Sequence, residues 1–347
     1  MCFLPDINSL DIKKILIIDL AFIGDVVLAT PVTRAIRSRW PQAEITMLTV
    51  PLTKPVAEMN PYVDQVLVCD KRGRHKGITG MLAMARELKQ YSFDLAICMN
   101  FALRGAVIAW LAGIPYRLGY DAQWAGLFLT WQASHIRDGI KHETRNHLEV
   151  LKPFGITAED YSLKLEAPQE ARDSYDKLAE KYGWQKQGYY VVCPFGSYER
   201  KDFPLTIAAP AIAQLEKKLP VYLIGGKKEA EGLEILAETA RLPGERILAG
   251  TLNLQQLAVF LANAKAMVSV DTGPMHIAQA VNCPTVALFG PTDPAIWGTC
   301  NANSQSLYFH EDCSPCWGKG ECLKNNDCMS RLQAKTILET LESVSNK

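Results

Sequence analysis

Chemistry-bearing residues concentrate where an apolar run hands over to a helix-like pattern. "SVDTGPMHIAQA" (269–280) ends such a run at Asp271, turns through Thr272 and Gly273, and places Pro274 at a first helical position. A missing N–H costs nothing there. Free backbone N–H groups and the helix dipole at such an end suit an anion, for instance a nucleotide diphosphate. Asp271 itself would repel phosphate, so sugar hydroxyls are its fitting partners. His276, one turn in, is placed to reach a phosphate or sugar oxygen. The plain alternative is a helix cap, a tight turn and a core histidine.

Two more turns repeat this layout. "CPFGSYERKDFP" (193–204) offers Gly196 and Ser197 as donors, with Arg200 and Lys201 bringing positive charge to a pyrophosphate; an ordinary charged loop is the alternative. In "IGGKKEAEG" (224–232), Glu229 or Glu231 suits ribose hydroxyls, against the commoner surface carboxylate. The fourth turn, "AFIGDVVLATP" (21–31), differs by putting Gly24 and Asp25 after the apolar run "KKILIIDL". It lacks a G-x-G-x-x-G pattern, so usual dinucleotide binding is unsupported. A carboxylate at a helix N-terminus is stabilised as the anion, the state a general base needs. A helix-capping aspartate is the competing reading.

The elements that must position these turns alternate strand and helix throughout. In the first half "KKILIID", "EITMLTV", "QVLVCD" and "LAICMN" read as strands, with helices over 25–39, 78–90 and 102–112 and a closing amphipathic helix near 141–154. After an extended connector at 162–168, the second half reads "YYVVCP", "VYLIGG", "RILAG", "KAMVSVD" and "PTVALFG" as strands. Its helices fall near 204–217, 228–240, 254–263, after Pro274 and at 332–345. Such alternation calls for parallel sheets covered by helices. The expected fold class is α/β, two Rossmann-like domains with a ligand cleft between them: 1–165 and 166–347. A chain of 347 residues fits two domains.

Composition excludes little else. Lys and Arg (37) balance Asp and Glu (37), so no global charge suggests nucleic acid as a partner. No stretch approaches the roughly 20 apolar residues that span a bilayer, and the first residues lack a signal-peptide core. A cytoplasmic location is expected. Of ten cysteines, six are scattered, Cys2 among them, while Cys313, Cys316, Cys322 and Cys328 crowd into "CSPCWGKGECLKNNDC". A tetrahedral zinc thiolate site fits four clustered cysteines, but the second pair lacks C-x-x-C spacing; free thiols or disulfides are the alternatives.

Taken together, "IDLAFIGDVVLATPVTRAIR", "CPFGSYERKDFP" and "SVDTGPMHIAQAVNCPTVALFGPTDP" resemble glycosyltransferase family 9, the ADP-heptose:lipopolysaccharide heptosyltransferases, over nearly the whole chain. The resemblance implies a GT-B fold with the acceptor on the first domain and the donor on the second. It implies inverting transfer of heptose to the inner core of lipopolysaccharide, with no cofactor needed for catalysis. Carried over residue by residue, Asp25 is the general base beside Gly24. Ser197, Lys201, Asp271, Thr272, Gly273 and His276 hold the donor, and the reading of the turns themselves adds Glu229 and Pro274 to that site.

The implied acceptor is an anionic glycolipid, for which Gly24, Arg104, Arg117, His142 and Arg145 are the candidate contacts in the first half. It brings peripheral contact with the cytoplasmic face of the inner membrane. Phe22 and Phe203 depart from residues common in the family and put acceptor and adenine details in doubt. Another nucleotide sugar or glycan acceptor, or a non-catalytic nucleotide-sugar-binding protein, are the competing functions.

Overall fold

The computed structural model describes residues 7–134, 141–322 and 327–346; Cys2 lies outside them. The chain divides into two compact units, Met1–Lys164 and Leu165–Lys347. Among the described residues no helix is long and apolar enough to cross a membrane.

Unit 1 is built on six strands, β1 (Lys14–Ile18), β2 (Glu44–Thr49), β3 (Gln65–Val68), β4 (Leu95–Cys98), β5 (Tyr116–Tyr120) and β6 (Trp131–Ala133). Their spatial order is β3-β2-β1-β4-β5-β6, every neighbouring pair parallel. Ile15, Leu16, Ile17 and Ile18 are all buried, as a central strand covered by helices on both faces requires. Chain order reverses between β1 and β4, and the residues just past these two strands flank the crevice where doubly wound sheets hold ligands.

The helix expected over 25–39 is two helices, Ile23–Leu28 and Thr30–Arg39. Pro31 has no N–H for the Val27 carbonyl, and the Thr30 hydroxyl donates to that oxygen instead at 2.8 Å. The amphipathic stretch near 141–154 is an α-helix, Glu143–Leu148, running into a 3-10 turn, Glu149–Phe154, that holds Pro153.

Unit 2 has five strands, β7 (Tyr190–Cys193), β8 (Val221–Leu223), β9 (Ala266–Val270), β10 (Thr285–Phe289) and β11 (Ser304–Tyr308), in the order β11-β10-β9-β7-β8. All four neighbouring pairs are parallel. Its reversal lies between β7 and β9. "RILAG" is not a strand: Gly244–Arg246 form a 3-10 turn and Ile247 makes a single bridge to Leu223.

Candidate functional site

At the switch point of unit 2, the loop after β7 brings Lys201 against the residue that ends β9. Its ammonium Nζ lies 2.6 Å from Asp271 Oδ2, both side chains are nearly buried (12% and 8% exposed), and the Thr292 hydroxyl donates to the same oxygen at 2.8 Å. The ammonium also sits 5.0 Å from the centre of the Tyr198 ring. Asp271 therefore holds the lysine.

Gly196 makes this approach possible, because a Cβ there would fall 2.6 Å from Lys201 Cβ. Its N–H is donated to Asp202 Oδ1 at 2.9 Å. Ser197, the next residue, is exposed.

The helix Gly273–Ala280 begins beside this pair. Gly273 is its first residue and Pro274 its second, and the extended Thr272 cap makes no side-chain hydrogen bond to the helix end. Backbone donors at that end thus keep their capacity for an anion. His276 is buried, on the inner side of the helix. Glu229 accepts the N–H of Gly226 at 2.5 Å, so its carboxylate closes the turn after β8.

Arg200 is engaged within unit 2. Its Nη2 donates to the Gly320 carbonyl at 2.5 Å, tying the cysteine-bearing segment to the loop. In that segment Cys313 is exposed, Cys316 and Cys322 are half-buried, and Cys328 is packed into the core of unit 2. Among the described residues no group of three or more His, Cys, Asp or Glu can hold a metal ion, so the expected zinc site at Cys313, Cys316, Cys322 and Cys328 has no ligand set. Burial holds the Cys328 thiol above its ordinary value, and the neighbouring thiols add to this.

At the switch point of unit 1, Gly24 and Asp25 lie in the first turn of the helix Ile23–Leu28. Asp25 is half-buried and its Oδ2 accepts the Phe22 N–H at 3.1 Å. It caps its own helix, and capping and base roles are compatible in a carboxylate with two oxygens.

Sequence reasoning missed what stands behind it. Asp19, the first residue past β1, is fully buried (0% exposed) and accepts from Asn100 Nδ2 at 3.1 Å, while Asn100 Oδ1 accepts the Leu20 N–H at 2.6 Å. Burial first, and then the negative charge of Asp25, push the Asp19 carboxyl up to about 6. On the helix Glu143–Leu148, buried His147 lies 3.3 Å from buried Glu143 through Nε2. Burial alone would lower His147, but the Glu143 hydrogen bond and charge, with Asp19 and Asp25, raise it.

The acceptor candidates separate. Arg117 is engaged within the fold: it donates to the carbonyls of Phe128 (2.5 Å), Pro115 (3.0 Å) and Ile114. Burial lowers its guanidinium, and the nearby Cys98 opposes this. Arg104 Nη2 donates to the His75 carbonyl, and its Nε is buried with no partner. His142 caps the helix Glu143–Leu148 through Nδ1, which accepts the Thr144 N–H at 3.3 Å. Arg145 is exposed on the same helix and stacks 4.6 Å from the Tyr161 ring centre.

A family model described as glycosyltransferase family 9 (heptosyltransferase) matches residues 81–326. The lipopolysaccharide heptosyltransferase 2 of Escherichia coli K12 is 27% identical over 293 residues, 81% of this chain and 84% of the relative. A family 9 glycosyltransferase from Veillonella parvula superposes with a TM-score of 0.86 at 24% identity, covering 97% of this chain and 98% of that one. The ADP-heptose lipopolysaccharide heptosyltransferase II structure from E. coli gives 0.78 at 20% identity, covering 96% and 99%. These neighbours share the α/β, GT-B architecture of two Rossmann-like units. The chain belongs to glycosyltransferase family 9 and is a glycosyltransferase.

Proposed function

We propose that the chain transfers heptose from ADP-heptose to the inner core of lipopolysaccharide with inversion and without a metal cofactor. The N-terminal domain, 1–165, takes the acceptor and the C-terminal domain, 166–347, the donor. The observation that carries the donor assignment is the Lys201–Asp271 pair beside the uncapped start of Gly273–Ala280. A nearly buried ammonium and aligned N–H groups are what a departing diphosphate requires. In the proposed step Asp25 takes the proton of an acceptor hydroxyl, whose oxygen forms the bond to the anomeric carbon. The bond to the ADP oxygen breaks, its electron pair leaves with ADP, and the proton passes from Asp25 to solvent. Ser197, Thr272 and Gly273 supply further donors, with His276 and Glu229 supporting the donor site. Arg145, His142 and Arg104 are the acceptor contacts proposed first, with Arg117 held by carbonyls beside them.

The acceptor's lipid places the enzyme at the cytoplasmic face of the inner membrane. Unit 1 has a surface suited to this. The loop Lys71, Arg72, Arg74 and Lys76 leads into exposed Ile78, on a helix that packs on the one carrying exposed Trp110; that helix in turn packs on the turn that holds exposed Leu127. Cationic and apolar side chains together suit an anionic bilayer.

Thermal stability in the presence of ADP, UDP and GDP tests the donor class. A nucleotide at 100 times its Kd stabilises by about 2.7 kcal/mol. Stabilisation by ADP alone is expected; stabilisation by UDP or GDP instead would transfer the reading to another nucleotide sugar.

A further inference from the structure

We propose that Asp19 and His147 are positioning residues that set the charge on Asp25 from behind, acting as one buried group with Asn100 and Glu143; the inference rests on Asp25 being the base.

The geometry is confined to unit 1. Asp19 Oδ1 accepts from Asn100 Nδ2 at 3.1 Å and from the Ala21 N–H at 3.2 Å, whereas Oδ2 is buried with no hydrogen-bond partner. A permanent anion with a stranded oxygen in a dry site is costly. Asp19 is therefore poised between its charged and neutral forms. His147 is the counterpart: Nε2 faces Glu143 at 3.3 Å, and Nδ1 is buried with no partner. Glu143 in turn accepts from Asn146 Nδ2 at 3.1 Å.

Asp19 and Asp25 hold adjacent peptides of the turn between them, Asp19 Oδ1 accepting the Ala21 N–H and Asp25 Oδ2 the Phe22 N–H, and the helix Ile23–Leu28 packs on the helix Glu143–Leu148. The groups that act on Asp19 are Asp25, His147 and Asn100, just past β4; Glu143 acts on His147, and Lys71 Nζ donates to the neighbouring Leu20 carbonyl at 2.6 Å. Asp25 thus feels two opposed neighbours. The Asp19 carboxylate disfavours its charge and the His147 imidazolium favours it. A carboxylate acting as base at neutral pH gains from the second and is tuned by the first.

This arrangement has a signature that simple packing would not produce: removing the two groups moves the acidic limb of the pH–rate profile in opposite directions. In the purified full-length enzyme, with ADP-heptose and a Kdo-bearing acceptor, Asp19→Asn is expected to move the limb of kcat/KM to lower pH. His147→Gln is expected to move it to higher pH, each by about one unit. In parallel, an NMR titration of the imidazoles reads His147 without turnover. Its midpoint is expected above that of an ordinary histidine in the wild type, and lower in both Asp19→Asn and Asp25→Asn.

Limbs that coincide with the wild type, or a His147 midpoint unmoved by Asp19→Asn, overturn the inference. If His147→Gln does not fold, the Asp19→Asn profile and the titration decide. Wild-type turnover by Asp25→Asn overturns the base reading separately, and the His147 midpoints still decide whether the charges are coupled.

Discussion

Replacing Lys201 separates two roles that the structure merges in one side chain. Its ammonium lies 2.6 Å from Asp271 Oδ2, with little of either side chain exposed. At an effective dielectric of about 20 the gross attraction at that distance is about 6 kcal/mol. Desolvation offsets most of it, so the intact pair contributes little net stability. Breaking it is different, since one partner is left as an uncompensated buried charge, at about 3–5 kcal/mol.

Among the described residues, Lys201→Met leaves the Asp271 carboxylate the Thr292 hydroxyl at 2.8 Å and is expected near the lower end, about 3 kcal/mol. Asp271→Asn strands the ammonium and is expected to cost as much. The double variant removes both charges and should recover most of the stability. ADP affinity should not recover with it. A charge-assisted hydrogen bond is worth about 1.5–3 kcal/mol, so calorimetry on the double variant should show ADP bound about 10- to 150-fold more weakly. Urea unfolding and calorimetry on all four proteins complete the cycle. If the double variant binds ADP like the wild type, Lys201 serves only the fold and the diphosphate grip is refuted.

Other substitutions report on neighbouring steps. Gly196→Ala forces a Cβ to 2.6 Å from Lys201 Cβ and should lower both melting temperature and ADP affinity, the stability cost being about 1–3 kcal/mol in urea unfolding. Arg117→Met loses three carbonyl contacts; it should lower the melting temperature while leaving KM for acceptor unchanged below the transition, and a raised KM would restore Arg117 to the acceptor site. For Asp19 the folded carboxyl, at about 6, titrates above the unfolded value of 3.8, so folding binds the proton more tightly and stability falls as pH rises from about 4 through 6. Asp19→Asn should therefore be more stable than the wild type at pH 8, by up to about 3 kcal/mol, and the gain should vanish below pH 4; an equal effect at both values would contradict the shift.

The strands that sequence reasoning found are continuous apolar runs: "KILII", "AMVSV" and "TVALF" in the sheet interiors, and "QVLV" and "VYL" at two of the edges. It missed β5, β6 and β11. β5 ("YRLGY") and β11 ("SQSLY") interleave polar residues, β6 ("WQA") has only three residues, and β6 and β11 form sheet edges. Edge strands meet the core on fewer sides and carry a weaker apolar signature.

The glycine and charge turns after β1, β7 and β9 were visible because a turn needs particular residues. Their pairing was not, since Lys201 and Asp271 meet only across two neighbouring strands of a folded sheet. Asp19 was hidden by being read as the end of an apolar run. His147 was hidden because "KHETRNHLEVL" drew attention to His142 and Arg145. Glu143 and His147, four residues apart, fall on the buried face, and Leu148, Val150 and Leu151 beside them are the signal that could have revealed it.

The central claim is that Asp25 removes the proton from the acceptor hydroxyl. Asp25→Asn keeps the shape of the side chain and an oxygen able to cap the Phe22 N–H, now 3.1 Å from the carboxylate. Initial rates of heptose transfer from ADP-heptose to a Kdo-bearing acceptor, measured beside ADP affinity on the same protein, test it directly. A loss of about 10²- to 10⁴-fold in kcat is expected, with ADP affinity unchanged. Transfer at the wild-type rate would contradict it.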